Sequence, residues 1–232
     1  MGEPAEELLN VYDVAGTVIG ARRRQEAKAS GLTVGAVNLL LVNRRSEVLL
    51  QRRPRDKENG GLWDKSVGGH VAAGEDFDTT VVREAGEELF DDRSSARVRL
   101  AATSDEFQAL LESLDLGHSV LLRPAARQLG LRDVRHAPGR TGIRIVLYHV
   151  AVYVGRTDVP RDGFEPQAEE IDELNYFGVE EVDRLLVRGE LSPNMAFLWL
   201  TQAPTLLGLV RPASPVGSNR AVPPRGRERA SP

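Results

Sequence analysis

Cysteine is missing from the 232-residue chain. Its absence excludes disulfide bonds, thiolate metal sites and cysteine nucleophiles. Apolar runs are short, and none approaches the ~20 residues that are needed to span a bilayer. The first residues also lack the basic and apolar regions of a secretory signal peptide. We therefore expect a soluble, cytoplasmic protein without membrane contact.

Positive charge is limited as well. The formal net charge is −4, and residues 211–232 carry five arginines and one glutamate, so residues 1–210 carry −4 − 4 = −8. Such an acidic body argues against a nucleic-acid-binding protein and suits a metal-dependent enzyme. Pro, Ser, Gly and Arg dominate residues 211–232, which predicts a disordered tail. Residues 1–210 are predicted to form a single domain.

A charged segment that follows a glycine-rich turn is the most informative part of the sequence. Residues Phe77 to Leu89 contain no proline, and Asp76 supplies a short acceptor that can cap the first turn of a helix. These features predict a helix from about Phe77 to Leu89. Glu75, near its start, and Arg83, two turns later, are predicted to form an ion pair that holds the turn against the helix.

Three glutamates share one face of this predicted helix. Glu84, Glu87 and Glu88 stand three and four positions apart, so their carboxylates come within reach of one small ion. Like charges at this spacing repel each other, and a bound divalent ion would remove that repulsion. The cluster therefore predicts a site for Mg²⁺ or Mn²⁺, with a solvated charged helix face as the alternative.

The wider spacing of these residues resembles a known motif. Gly69, Glu75, Arg83-Glu84 and Glu87-Glu88 match the fixed positions of the Nudix box, Gly-x5-Glu-x7-Arg-Glu-U-x-Glu-Glu-x-Gly-U, in which U is apolar. Ala85 fits the first apolar place. The sequence departs from the motif at Phe90, which replaces the last glycine, and at the following Asp91. Because phenylalanine adopts a left-handed turn only with strain, we expect another exit from this helix.

The resemblance to the Nudix hydrolases implies a fold and an activity. The implied fold is α/β (α+β), an α/β/α sandwich with a mixed central sheet. The implied activity is Mg²⁺-dependent or Mn²⁺-dependent hydrolysis of a diphosphate linkage in a nucleotide or a nucleoside diphosphate derivative. Glu84, Glu87 and Glu88 would be the catalytic, metal-binding side chains, and Gly68 would add its backbone carbonyl. The implied partner is a small-molecule diphosphate, and a homodimer is possible.

Other candidate site residues lie outside the box. Arg52, Arg53 and Lys57 are candidates for holding phosphate oxygens, with solvated surface as the alternative. Enzymes of the resembled family often take one further carboxylate from a later loop, as a metal ligand or a general base. Glu169 and Glu170 are the candidates by position.

Roughly residues 8–90 also resemble the Nudix branch that is related to isopentenyl diphosphate isomerase. Those isomerases use a cysteine immediately before the box glycine and histidine, where this chain has Gly68 followed by Gly69 and His70. The missing thiol argues against the isomerase mechanism. A second alternative is a binding or regulatory module that kept the fold while catalysis weakened, which the altered box end at Phe90 would favour.

Apolar periodicity predicts the remaining elements. The predicted strands and helices are a hairpin within residues 8–30, strands at Thr33–Val42, Glu47–Arg52, Ile143–Val154 and Asn175–Phe177, and helices at Val179–Leu186 and Asn194–Ala203, the last ended by Pro204. Residues 104–140 do not fit a compact core. They are predicted to be a partly helical insertion that either covers the substrate cleft or decorates the surface.

Overall fold

A computed structural model describes residues 7–136 and 143–210 of the chain. The predicted tail at 211–232 lies outside the described residues. The strands are β1 Leu8–Tyr12, β2 Val18–Arg23, β3 Thr33–Val42, β4 Val48–Arg52, β5 Trp63–Asp64, β6 Val67–His70, β7 Val98–Leu100, β8 Val120–His136, β9 Ile143–Arg156 and β10 Glu173–Phe177. The helices are α1 Arg24–Ala29, α2 Phe77–Phe90, α3 Ser104–Ser113, α4 Val179–Val187 and α5 Pro193–Leu209.

The sheet is mixed and has β3 and β9 at its centre. Its main path runs β10-β4-β3-β9-β8-β7, with β3 and β9 parallel and β4 antiparallel to β3. The strand β6 pairs with residues 36–39 in the middle of β3, so that Asn38 faces Gly68 across the pair. The predicted α/β/α sandwich with a mixed sheet is confirmed.

Both faces of β3 are covered, as expected for a strand that is apolar along nearly its whole length. Leu40 and Val42 pack with α4 and α5 in one core cluster. Leu39 and Leu41 lie on the opposite face, in the cluster that contains the apolar stripe of α2. This alternation fixes the position of α2 beneath the sheet, with its polar face directed to the edge of β6.

Helix α2 begins at Phe77 as predicted and ends at Phe90, one residue beyond the predicted Leu89. Asp76 Oδ1 accepts a hydrogen bond from the Thr79 backbone N–H at 2.7 Å. Phe90 remains helical, and its ring stacks on Phe164 at 5.6 Å between centroids. Asp91 adopts the left-handed conformation, with φ of 47°, so the helix still ends in such a turn.

The described part of the predicted insertion, residues 104–136, contains one helix and one long strand. Helix α3 supplies the expected helical part, whereas the strand Val120–His136 was not predicted and pairs with β9 along its length. Residues 137–140 of the predicted segment lie outside the described residues. Pro124 and Gly130 lie at the two register irregularities, where a strand tolerates a missing donor or a left-handed residue. Among the described residues, none from this segment lines the cleft described below.

Two helices also differ from prediction. Residues Arg24–Ala29 form α1 inside the range 8–30 that was predicted as a hairpin, and Ala27 is fully buried against the core. Helix α5 continues through Pro204 to Leu209. Leu200, whose carbonyl would accept the bond that proline cannot donate, lies at an exposed position where water can replace it. Among the described residues, no helix combines the length and apolarity required to cross a bilayer.

Candidate active site

A cleft of about 610 Å³ opens where β6, α2 and the first turn of α5 meet. Its floor is formed by side chains of β3 and β9, and its walls include the loop after β4 and the loop before β10. The charged residues that line it are Glu7, Arg24, Arg53, Lys57, Glu58, Asp64, Lys65, Arg83, Glu84, Glu87, Glu88 and Glu170. The three glutamates predicted from the helix register therefore reach one cavity together.

Two glycines of β6 allow the charged side chains to enter the cleft. A Cβ added to Gly69 would lie 2.0 Å from Glu84 Oε1, and one added to Gly68 would lie 2.1 Å from Lys65 Cε. Both distances are far below van der Waals contact. The backbone of β6 is thus bare where Glu84 and Lys65 pass against it.

Arg83 is the common partner of the acids on this side of the cleft. Its Nε lies 2.8 Å from Glu75 Oε1, which is the ion pair predicted from the sequence. Its Nη2 lies 3.0 Å from Glu84 Oε1 and its Nη1 lies 2.9 Å from Glu87 Oε2. One guanidinium therefore holds three carboxylates, which fixes the orientation of Glu84 and Glu87.

Glu88 lies deepest and is held by neutral donors. Its Oε2 accepts from Gln51 Nε2 at 3.2 Å and from the Gly68 backbone N–H at 3.4 Å. Burial, with a smaller contribution from Glu84, raises the pKa of the Glu88 carboxyl well above its ordinary value, while Lys65 opposes this shift. Burial also raises the pKa of Glu84 to about 7, against the opposing effect of Arg83.

The chemistry of these donors fits a hard divalent cation. Burial disfavours the negative charge of the Glu84 and Glu88 carboxylates, as their raised pKa values indicate. A bound divalent cation would stabilise that charge. Carboxylate and carbonyl oxygens are the ligands that Mg²⁺ and Mn²⁺ prefer. Within residues 7–136 and 143–210, no three Asp, Glu, His or Cys side chains already form a metal-binding group, since Arg83 engages Glu84 and Glu87.

The remaining predicted residues divide into two groups. Arg53, Lys57 and Glu170 line the cleft, and Lys57 Nζ lies 3.0 Å from Glu170 Oε1 across its mouth. Arg52 and Glu169 are not among the lining residues. The Arg52 guanidinium instead donates to the Gly61 carbonyl at 3.0 Å and stacks over Trp63.

The structure also places residues in the cleft that the sequence did not single out. Asp64 and Lys65 line it together with the glutamates, and Asn38, which faces Gly68 across the β3–β6 pair, donates from Nδ2 to Asn194 Oδ1 at 3.2 Å. His70, which the sequence already places after the box glycine, also lines the cleft, and its ring lies 5.9 Å from that of Tyr148. No spacing rule joins residues as distant along the chain as Asn38 and Asn194.

A family model matches the part of the chain that carries the site. Residues 32–112, which include β3, β6 and α2, match the family model described as NUDIX domain. The matched residues include Glu84, Glu87 and Glu88 on α2, at the edge of the cleft. Over this part the chain is similar to the NUDIX family.

Curated relatives resemble the same part of the chain. An uncharacterized Nudix hydrolase of Nostoc sp. is 36% identical over 85 residues, 36% of this chain and 50% of the relative. An isopentenyl-diphosphate Delta-isomerase of Paenarthrobacter aurescens is 37% identical over 91 residues, 37% of this chain and 47% of the relative. The chain thus aligns with about half the length of the curated relatives it matches. The resemblance to the isomerase-related branch is confirmed.

A solved structure supports the fold over a larger part of the chain. The chain resembles a protein of Deinococcus radiodurans with a TM-score of 0.57 and 22% identity, and the alignment covers 84% of this chain and 98% of the other. At this identity the likeness concerns architecture alone.

Proposed function

We propose that this NUDIX domain is a Mg²⁺-dependent or Mn²⁺-dependent hydrolase that cleaves a diphosphate linkage in a nucleotide or a nucleoside diphosphate derivative. The observation that carries the proposal is the convergence of Glu84, Glu87 and Glu88 on one cleft beside the bare backbone of Gly68 and Gly69. A diphosphate is anionic and repels the water that must attack it, so a site for its hydrolysis has to supply positive charge.

Three glutamates and one carbonyl would hold the divalent ion. Glu84, Glu87 and Glu88 supply carboxylate oxygens, and Gly68 supplies its backbone carbonyl. When bound, the ion would neutralise phosphate charge and acidify a water molecule. Arg83 orients Glu84 and Glu87 by direct ion pairs. Gln51 fixes one oxygen of Glu88 and leaves the other available.

Basic and acidic side chains at the mouth of the cleft have separate roles in this proposal. Arg53 and Lys57 bind phosphate oxygens of the substrate, because both line the cleft and carry N–H donors. Glu170 accepts a proton from the attacking water. It is favoured over Glu169 because it lines the cleft and approaches Lys57 closely.

Further side chains of the cleft support a substrate with a planar, uncharged group. His70 and Tyr148 provide ring surfaces, and Asn38 and Asn194 provide amide groups. Stacking surfaces combined with amide donors and acceptors are what recognition of a nucleobase requires. This composition favours a nucleoside-containing diphosphate over an inorganic one.

Two alternatives are less well supported. A binding or regulatory module was suggested by the departure at Phe90, but α2 still ends in a left-handed turn at Asp91, and its acidic face lies before that turn. The isomerase mechanism of the resembled branch requires a thiol, and Gly68 stands at its place in a chain without cysteine.

Isosteric amides test the proposed metal role. Glu87→Gln and Glu88→Gln should abolish turnover and preserve the fold, because glutamine keeps the volume and removes the negative charge. Turnover is measured as Mg²⁺-dependent release of phosphate or a nucleoside monophosphate from a panel of nucleoside diphosphate derivatives. Glu180→Gln, on α4, controls for the loss of one surface charge. Retained activity in either cleft variant would refute the assigned role.

A further inference from the structure

Lys65 combines burial with a position at the substrate cleft. Only 8% of the residue is exposed, yet it lines the cleft beside Glu88 and Gly68. Removing an ammonium group from water is costly unless an acceptor or an opposite charge compensates it. Burying the Lys65 ammonium therefore costs desolvation free energy, and it places a positive charge at the wall of the cleft.

Asp64 fixes the ammonium in place. Lys65 Nζ lies 3.3 Å from each carboxylate oxygen of Asp64. Asp64 itself accepts from Ser192 Oγ at 2.8 Å and from the Lys65 backbone N–H at 2.9 Å, and Arg53 approaches it at 3.7 Å. Burial alone would raise the pKa of Asp64, but Lys65 and Ser192 hold it below its ordinary value. Asp64 is thus an anchored anion that positions two cations, Lys65 and Arg53.

Gly68 provides the space that the lysine occupies. A Cβ at this position would lie 2.1 Å from Lys65 Cε and 2.9 Å from its Nζ. Because Gly68 does not have a positive φ, its backbone conformation does not require glycine. Glycine at this position instead leaves room for the end of the Lys65 side chain.

The ammonium has hydrogen-bonding capacity left for a ligand. An ammonium carries three donor hydrogens, and charge-assisted N–H···O bonds are usually about 2.7–2.9 Å long. The two contacts with Asp64 are longer, at 3.3 Å. Among residues 7–136 and 143–210, Asp64 is the one hydrogen-bonding partner of this ammonium. At least one of its three donors is therefore not used by Asp64, and Lys65 lines the cleft.

We propose that the Lys65 ammonium binds a phosphate oxygen of the substrate diphosphate, and that Asp64 and Gly68 hold it in position to do so. This inference rests on the proposed diphosphate hydrolysis. An already desolvated cation beside the glutamates interacts with an incoming phosphate more strongly than a solvated one. The rival explanation is a purely structural lysine that neutralises Asp64 and Glu88 and never contacts a ligand.

Binding of methylenediphosphonate, a diphosphate mimic that cannot be hydrolysed, separates the two explanations. Lys65→Met keeps most of the side-chain volume and removes the charge, so it should weaken binding by about tenfold or more in calorimetry with and without Mg²⁺. Lys65→Arg should stay within about threefold of the parent, because it keeps the charge. Arg45→Met, at an exposed turn, controls for net charge. Parent-like binding by Lys65→Met would overturn the proposal.

Gly68→Ala gives an independent test that does not remove the lysine. The new Cβ should displace the Lys65 side chain and weaken probe binding in the parent protein. In the Lys65→Met background it should have a smaller effect, and the difference measures the coupling between the two positions. Equal effects in both backgrounds would contradict the proposal. If Lys65→Met fails to fold, as judged by thermal unfolding, Gly68→Ala and Lys65→Arg decide between parent-like and weakened binding.

Binding without turnover also keeps this inference separate from the proposed function. Weakened binding in Lys65→Met, with no hydrolysis of any panel substrate by the parent, would support the phosphate contact and refute the hydrolase. Hydrolysis by the parent, with parent-like binding and KM in Lys65→Met, would support the hydrolase and refute the phosphate contact.

Discussion

The Glu84 carboxylate occupies the space into which a side chain at Gly69 would project. A Cβ at Gly69 would come within 2.0 Å of Glu84 Oε1 and 2.1 Å of its Cδ. Because Gly69 does not have a positive φ, contact with the carboxylate is what restricts this position to glycine. Gly69, the first glycine of the motif, therefore leaves the space that the Glu84 carboxylate occupies.

Gly69→Ala should displace Glu84 and impair both stability and catalysis. Overpacking of this kind typically costs about 1–3 kcal/mol. A shift of about 1 Å in a catalytic group can reduce turnover about a hundredfold. Denaturant unfolding and the hydrolase assay measure the two effects. Gly178→Ala is the matched control, because no atom lies within 4 Å of its added Cβ. Equal behaviour of the two variants would show that Glu84 does not depend on Gly69.

The raised pKa of Glu84 predicts that the metal-free protein loses stability as the pH increases. The folded state retains the Glu84 proton up to about pH 7, whereas the unfolded chain releases it near 4.5. Its stabilising contribution is therefore complete below about pH 4.5 and is lost as the pH rises through about 7, by roughly 3 kcal/mol. Glu88 contributes in the same direction.

Thermal unfolding in a chelator, between about pH 5 and pH 8, measures this dependence. Glu84→Gln should flatten the profile without abolishing it, since Glu88 still titrates. Mg²⁺ should restore part of the stability of the parent at the upper end, because a cation favours the ionised carboxylates. An unchanged profile in Glu84→Gln would show that this carboxyl does not control the pH dependence.

The part of the site on α2 could be predicted because its information is local. The cap at Asp76, the absence of proline and the three-and-four spacing place Glu84, Glu87 and Glu88 on one helix face. The strands β3 and β9 were predictable for a related reason, since buried strands are apolar throughout.

The rest depends on contacts between distant residues. Strand β8 was missed because its arginines and Pro124 conceal a strand that exists through pairing with β9. The positions of Asp64 and Lys65 depend on Ser192, which is distant in sequence and donates a hydrogen bond to Asp64. Local propensity contains none of this information, because tertiary packing decides which polar residues are buried.

Arg52 and Arg53 are adjacent in sequence but should respond differently to mutation. Arg53 lines the cleft and approaches Asp64, so Arg53→Met should raise KM for a diphosphate substrate by about tenfold. Arg52 stacks on Trp63 and donates to Gly61, so Arg52→Met should lower stability by about 1 kcal/mol and leave KM near the parent value. Steady-state kinetics and thermal unfolding of both variants make the comparison. A KM increase in Arg52→Met alone would reverse the assignment.

The amide pair formed by Asn38 and Asn194 in the cleft should select nucleoside-containing substrates. Asn38 is 4% exposed and donates to Asn194, which lies in the first turn of α5. Asn194→Ala removes this polar partner without changing a residue of the buried strand β3. If the amide contacts a base, its loss should reduce kcat/KM for nucleoside diphosphate derivatives by about tenfold, because one buried hydrogen bond to the substrate is lost.

A diphosphate without a nucleoside should be hydrolysed by Asn194→Ala at the parent rate. Thr201→Ala, on an exposed part of α5, is the control. An equal reduction for both substrate classes would place Asn194 in a structural role and leave base recognition to other residues.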